Sequence, residues 1–179
     1  VKALFEQIEK EFGKVDILVN NAATNPHFGD MLTADEKIWD KTLDVNVKGP
    51  FFMIKYAVPL MKEKGAIVNV SSITAISPGL FQGVYSATKA ALVNMTQSLA
   101  RDLAPRGIRV NALLPGLTDT KFSSAIISSK EIIDHVLTTI PMGRYAAPEE
   151  MAGSLLYLVS DASSYTTGSC LVSDGGMLI

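Results

Sequence analysis

Tyr85 and Lys89 stand four residues apart in "GVYSATKAALVN", and they are the pair in this chain whose types and spacing could move a proton. On a helix, positions i and i+4 share a face, so this spacing holds an ammonium within several ångströms of a phenol. A free phenol has a pKa of about 10, and bringing it near 7 requires about 4 kcal/mol of differential stabilisation of the phenolate. One positive charge about 4 Å away, at an effective dielectric near 20, supplies a similar amount. Burial opposes the charged form, so a second cation or hydrogen-bond donors are needed as well. The alternative is an ordinary helix face, because Tyr-x-x-x-Lys is a short pattern that chance supplies readily in a chain with five tyrosines.

Other polar residues gather near the ends of apolar runs. Ser72 lies thirteen residues before Tyr85 at the close of "AIVNVSS", with Ser71 as the competing hydroxyl. Asn46 sits in "DVNVKG", where it serves either chemistry or a helix cap or kink. Asn20 and Asn21 end "VDILVNN" and could equally satisfy buried backbone between strands. Thr118 and Thr120, in "LPGLTDT", could cap the segment that follows. His27 and His135 are the two histidines and Cys170 the one cysteine, a set that offers no metal-ligand spacing and no internal disulfide. His27 is expected at the surface.

The elements that must position these residues alternate along the chain. "VKALFEQIEKEFG" spaces its apolar residues as an amphipathic helix that stops at Gly13. "VDILVNNAA", "AIVNVSS", "IRVNALLPG" and "SCLVSDGG" are strand candidates, the last closing in a glycine turn. A long helical stretch from about Asp35 to Lys64 should be bent or divided by Pro50 and Pro59. "ITAISPGLFQG" is expected to be a loop, and the helix carrying Tyr85 should end before Pro105 and Gly107. Residues 117 to 147 look less regular, and "PEEMAGSLLYLVS" starts a last helix with Pro148 in its first turn and two glutamates near the positive dipole end.

Four strands separated by helices predict an α/β fold: a parallel sheet covered on both faces, with right-handed crossovers. Ligands in such sheets bind beyond the carboxyl ends of the strands. That edge collects Asn20 to Ala23, Ser71, Ser72, Pro115 and Gly116. The 179 residues, 47% of them apolar and with a net charge of −2, suffice for one domain with a core. Interspersed charges give no reason to expect nucleic acid or an anionic membrane as partner. The most apolar run, "GPFFMIKYAVPLM", is too short to span a bilayer. A cytoplasmic protein is the default expectation, and "GGMLI" carries no peroxisomal Ser-Lys-Leu-like ending.

Together, "VNNAA", Asn46, Ser72, the Tyr85 and Lys89 pair, "LPGLTDT" and "SDGG" resemble the short-chain dehydrogenase/reductase family, in the family's order and across the whole chain. The resemblance implies a Rossmann-like, doubly wound, three-layer α/β/α domain over residues 1–179, with a substrate lid at about 117–147. It implies an oxidoreductase that interconverts a carbonyl and an alcohol with NADP(H) or NAD(H). Tyr85 would be the general acid or base and Lys89 would lower its pKa and hold the cofactor's ribose hydroxyls. Ser72 would hydrogen-bond the reacting oxygen, and Asn46 would hold a water in a relay to Lys89. Asn20, Ala22 and Ala23 would line the adenosine-ribose side of the cofactor cleft, and Pro115, Gly116, Thr118 and Thr120 the nicotinamide side. "NPHFG" and "WDKTLDVNVKG" look like the family's carbonyl-reductase and retinol-dehydrogenase branch, which uses NADP(H). The resemblance also implies a small-molecule substrate and a homo-oligomer, a dimer or tetramer. An epimerase or dehydratase built on the same Tyr and Lys is the less favoured chemistry of that kind.

Within the lid, Ile126, Ile127, Ile132, Ile133, Val136 and Leu137 suggest an apolar substrate face, or packing onto the sheet. One departure from the family pattern is large. No glycine-rich Thr-Gly-x-x-x-Gly-x-Gly turn occurs, and the chain opens where the family enters the helix before its fourth strand. "DILVNNA" should therefore be an apolar sheet edge, prone to association. The chain is expected to be either part of a longer enzyme or a truncated, non-catalytic interaction or dimerisation module unable to bind nicotinamide.

Overall fold

The computed structural model describes residues 1–62 and 64–179. Its elements run α1 (Lys2–Phe12), β1 (Ile17–Asn20), α2 (Glu36–Leu43), α3 (Gly49–Ala57), β2 (Ala66–Val70), α4 (Gly83–Leu103), β3 (Arg109–Pro115), α5 (Ser124–Ile127), α6 (Lys130–Thr138), α7 (Glu150–Val159) and β4 (Cys170–Ser173). The strands form one parallel sheet in the order β1-β2-β3-β4. This is the expected Rossmann-like α/β arrangement.

Alternation along each strand divides the core. Ile67 packs with Leu18 and Val110 against Phe5 of α1, Ile54 and Ala57 of α3, and Ala100 and Leu103 of α4. Its neighbour Val68 points the other way, with Leu113, onto Leu158 of α7. Each fully buried aliphatic side chain contributes about 1.5–3 kcal/mol relative to exposure. Arg109, at the start of β3, ties α7 down by donating to the Leu158 and Ser160 carbonyls at 2.8 and 3.1 Å and to the Ser163 hydroxyl at 2.7 Å. β1 is one edge of the sheet, four residues long, with Leu18 and Asn20 buried and Ile17 exposed.

The long helical stretch is divided, but the decisive break precedes Pro50. Residues Asp44–Lys48 form one wide π turn, in which the Gly49 N–H reaches back five residues to the Asp44 carbonyl. Pro50 has no N–H to return to the Asn46 carbonyl, and its ring crowds that oxygen, so the helix widens just before it. Pro59 sits in the 3-10 turn Val58–Leu60 that closes the stretch. Two further corrections concern the later chain. Residues 117–147 contain the helices α5 and α6, and α7 begins at Glu150, two residues beyond Pro148. The reason for the late start is local: the Glu150 carboxylate accepts the Ala147 N–H at 2.8 Å and pairs with Arg144 at 2.7 and 2.8 Å, shaping a turn at Pro148. The loop after β2 also holds a 3-10 turn, Ile73–Ala75.

Residues 117–147 have a tied neck. Thr118 bridges to Ala146, the Asp119 N–H donates to the Ala146 carbonyl and the Ala146 N–H to the Leu117 carbonyl, both at 2.9 Å. Beyond the neck, neither α5 nor α6 contains a buried residue. Among the described residues no helix is long and apolar enough to cross a membrane.

Candidate active site

Tyr85 and Lys89 lie in the first turns of α4, on the side that meets the sheet, and both are buried. Gly83 opens that helix because a Cβ there would stand 2.8 Å from the Met31 sulfur. The loop around Met31 can therefore rest on the helix start. It is also joined to the loop after β2, with Gly29 N–H donating to the Phe81 carbonyl at 3.0 Å and the Phe28 and Phe81 rings meeting edge to face.

The two candidate hydroxyls have different work. Ser71 donates to the Lys89 carbonyl at 2.9 Å, fastening α4 to the end of β2. Ser72 accepts from the Thr74 N–H and hydroxyl at 3.1 and 3.0 Å, which occupies both its lone pairs. Its own O–H is not donated to any of these partners, and the Ser72 hydroxyl lies near enough to the Tyr85 phenol to favour the phenolate. Ser72, not Ser71, is thus the hydroxyl beside the phenol.

The Lys89 ammonium stands 5.5 Å from the Tyr85 ring centroid and donates to the Val70 carbonyl at 2.8 Å. Burial pushes the Lys89 pKa down to about 8. Burial likewise pushes the Tyr85 phenol up to about 12, against the opposing Ser72 hydrogen bond. The phenol is accordingly protonated at neutral pH.

Asn46 is fully buried in the π turn. Its side-chain oxygen accepts the Thr24 N–H at 2.8 Å, and its amide donates to the Thr24 carbonyl at 2.9 Å and to the Thr88 hydroxyl at 3.0 Å. Thr88 in turn donates to the Tyr85 carbonyl at 2.7 Å. The sequence did not mark Thr24 or Thr88, although Thr88 precedes Lys89 on the same turn. Asn20 donates to the Asn69 side-chain oxygen and Asn69 to the Thr96 hydroxyl, both at 2.9 Å, so Asn20 belongs to a buried amide chain between β1, β2 and α4. Ala22 is exposed and Ala23 half-buried beyond the strand end.

Pro115 and Gly116 end β3 beside β4, where a Cβ on Gly116 would lie 2.6 Å from the Asp174 Cα. Thr118 donates to the Gly116 carbonyl at 3.2 Å. Ser123, also unmarked by sequence, organises the turn that contains Thr120: its hydroxyl meets the Thr118 carbonyl, the Thr120 N–H and the Thr120 carbonyl. The two threonines are therefore shaped by Ser123 rather than capping a helix themselves. His27 contacts the Thr33 hydroxyl at 3.0 Å in an exposed loop. A separate cavity of about 150 Å³, lined by residues including Met142, Arg144, Ser173 and Asp174, lies beside the Thr118 to Ala146 bridge and holds none of the Tyr85 group.

A nicotinamide nucleotide fits the donor set on its ribose side. A lysine ammonium has three donors, and among the described residues that of Lys89 donates once, to Val70. It retains capacity for a vicinal diol.

Buried Tyr85 and Lys89 beside the half-buried Ser72, at the carboxyl ends of a parallel Rossmann-like sheet, define the class of nucleotide-cleft α/β proteins. Within that class, residues 1–178 match the family model described as enoyl-(acyl carrier protein) reductase, and the chain belongs to the short-chain dehydrogenase/reductase family. It is 46% identical to human dehydrogenase/reductase SDR family member 4 across 93% of this chain and 61% of that protein. It is 38% identical to a 3-oxoacyl-(acyl-carrier-protein) reductase of Thermotoga maritima, over 100% of this chain and 72% of the relative. A gluconate 5-dehydrogenase from Burkholderia cenocepacia, solved with NADP and tartrate, superposes with a TM-score of 0.94 at 28% identity, covering 99% of this chain and 70% of that one. The chain spans about 61% of the length of the human relative.

Proposed function

We propose that this protein interconverts a carbonyl and an alcohol with NADP(H) or NAD(H), and that Tyr85 carries the proton. The observation that supports this most is the buried phenol with the Ser72 hydroxyl beside it and the Lys89 ammonium 5.5 Å from its ring centroid. A reduced nicotinamide, when bound, supplies hydride to the carbonyl carbon. Lys89 would hold the ribose hydroxyls of that group, with Pro115, Gly116 and Thr118 along the nicotinamide side and Asn20, Ala22 and Ala23 towards the adenosine. Thr120 completes the same segment.

The protein's own residues then have defined tasks. Ser72 orients the substrate oxygen by hydrogen bonding. Tyr85, held neutral by burial, gives its proton to that oxygen as negative charge develops there, because an alkoxide is a stronger base than a phenolate. With its pKa raised by burial, the phenol is protonated at neutral pH, the state needed to donate to a developing alkoxide. In the reverse direction the phenolate requires positive charge beside it, and Lys89 supplies part. Asn46 belongs to the same reading as the residue that fixes a water for reloading Tyr85 through Lys89.

The half-buried lid residues Ile126, Ile127, Ile133, Val136 and Leu137 support an apolar substrate. Phe51 and Phe52, exposed and ring to ring on α3, support association of copies. The test is calorimetric titration of the folded chain with NADPH and NADH, followed by carbonyl-dependent oxidation of the bound nucleotide by the parent and by Tyr85→Phe. Binding retained with turnover lost in Tyr85→Phe supports the reading. A folded chain that binds neither nucleotide overturns the cofactor assignment, and undiminished turnover in Tyr85→Phe overturns the role of Tyr85.

A further inference from the structure

The two serines after β2 have opposite hydrogen-bonding characters. A hydroxyl has one proton to donate and two lone pairs with which to accept. Ser71 gives its proton to the Lys89 carbonyl at 2.9 Å. Among the described residues, both side-chain bonds of Ser72 are accepted ones, from the Thr74 N–H at 3.1 Å and the Thr74 hydroxyl at 3.0 Å. A single residue therefore fills the whole accepting capacity of Ser72.

The second of these bonds exceeds what the local fold requires. Ser72 is the N-cap of the 3-10 turn Ile73–Ala75, and the Thr74 N–H makes that cap. The Asp30 and Asp35 side chains cap their own helical turns by accepting one backbone N–H each, from Leu32 and Ile38 at 2.9 Å. The Thr74 hydroxyl is also steadied from its far side. A Cβ on Gly79 would lie 3.3 Å from the Thr74 methyl carbon, so the methyl group rests beside the Gly79 backbone. Branching at Cβ makes χ1 of a threonine stiff, and the methyl seat and the hydroxyl bond fix it together.

We propose that Thr74 is a positioning residue for the reaction: it saturates the lone pairs of Ser72 and leaves that hydroxyl able only to donate, so that a substrate oxygen is met by a proton. This inference rests on the proposed role of Ser72 in orienting the substrate oxygen. A carbonyl oxygen accepts hydrogen bonds and donates none, so it gains from a hydroxyl with no accepting option. Water is refused for the same reason, since it cannot hold Ser72 by donating to it. The chain from the Thr74 hydroxyl to the Ser72 hydroxyl also polarises the Ser72 O–H, which strengthens its donation as negative charge develops on the substrate oxygen. Thr74 acts through Ser72 and touches no reacting atom.

Reduction of acetophenone by NADPH in Thr74→Val, Thr74→Ser, Ser72→Ala and the double variant Ser72→Ala with Thr74→Val tests this. Thr74→Val keeps the branched shape and the N–H but loses the hydroxyl, and its kcat should fall about three- to ten-fold, the loss of one hydrogen bond's worth of positioning. KM should stay within about two-fold, because the substrate is still bound. Thr74→Ser keeps the hydroxyl and should restore kcat. In the Ser72→Ala background, Thr74→Val should cost nothing further, whereas a merely structural loss would add to the first. Thr74→Ala repeats the loss of the hydroxyl with less bulk and should match Thr74→Val. A readout without turnover is χ1 of Thr74, from the three-bond couplings of its methyl carbon: one rotamer in the parent supports the proposal, and averaging overturns it. If Ser72→Ala is as fast as the parent, or neither reduces acetophenone, the reading of Ser72 falls and this inference with it. If Ser72→Ala is impaired while Thr74→Val is undiminished, or their losses add, this inference alone falls.

Discussion

Lys89 holds its ammonium 5.5 Å from the Tyr85 ring centroid, and both side chains are removed from water by the same contact between α4 and the end of β2. Each is pushed towards its neutral form, the lysine down to about 8 and the tyrosine up to about 12. Between about pH 8 and 10.5 the unfolded chain keeps a lysine proton that the folded chain has released, so stability rises with pH there. Between about pH 10 and 12 the folded chain keeps a phenol proton that the unfolded chain has lost, so stability falls as pH rises. Denaturation midpoints should climb from about pH 7.5 towards 10, with Lys89 contributing on the order of 3 kcal/mol, and then decline. In Lys89→Met the climb should disappear. An equal climb in that variant would show that other groups cause it.

Thr88 joins the buried amide of Asn46 to the Tyr85 carbonyl. Thr88→Val keeps the shape but removes the hydroxyl, leaving one Asn46 amide proton buried without its partner. A loss of about 1–3 kcal/mol in urea unfolding is expected. Thr88→Ser should recover most of it, and equal losses in the two variants would point to packing instead.

Gly116 and Gly153 make a matched pair. At Gly116 a Cβ would collide with the Asp174 backbone at 2.6 Å, whereas at Gly153, inside α7, nothing lies within 4 Å. Gly116→Ala should destabilise by about 1–3 kcal/mol. Gly153→Ala should stabilise by up to about 1 kcal/mol, through helix propensity. Thermal unfolding of the two variants should therefore shift in opposite directions.

Glu150 binds Arg144 and the Ala147 N–H, and the Arg144 hydrogen bond, followed by that of Ala147, lowers its pKa to about 2. Because the folded value is depressed, the interaction is complete above the unfolded value of 4.5 and is lost as pH falls through about 2. Glu150→Gln should speed hydrogen exchange at the Ala147 amide several-fold while leaving the β2 and β3 amides unchanged. Equal acceleration throughout the sheet would contradict a local role.

Local pattern made the frame legible in sequence. Branched aliphatics at 17–19, 66–70 and 109–114 are strands because buried parallel strands need continuous apolar runs. Helix stops at Gly13 and Gly107 are legible because both take the left-handed conformation that glycine adopts readily. The closeness of Ser72 to Tyr85 also follows from local spacing, since a strand end and the next helix start are adjacent in such folds. The π turn was not legible, because the two prolines announce a break without saying which hydrogen bonds widen. Nor were the Asn46 to Thr88 bond and the Phe122 to Tyr85 contact, which join residues 42 and 37 apart in sequence. No periodicity within one element encodes such pairs. The helices α5 and α6 are not legible because α5 spans only four residues and neither buries a face deeply enough to stand out among the serines around them.

The tie between Thr118 and Ala146 has an evolutionary consequence. Because the two ends of residues 117–147 are fastened to each other, what lies between them can be rewritten without disturbing β2 and α4, which position Ser72, Tyr85 and Lys89. Doubling the length of such a closed segment costs only about 0.6 kcal/mol of additional closure entropy. Residues 120 to 145 thus form an exchangeable cassette, whose replacement leaves the arrangement of Ser72, Tyr85 and Lys89 in place.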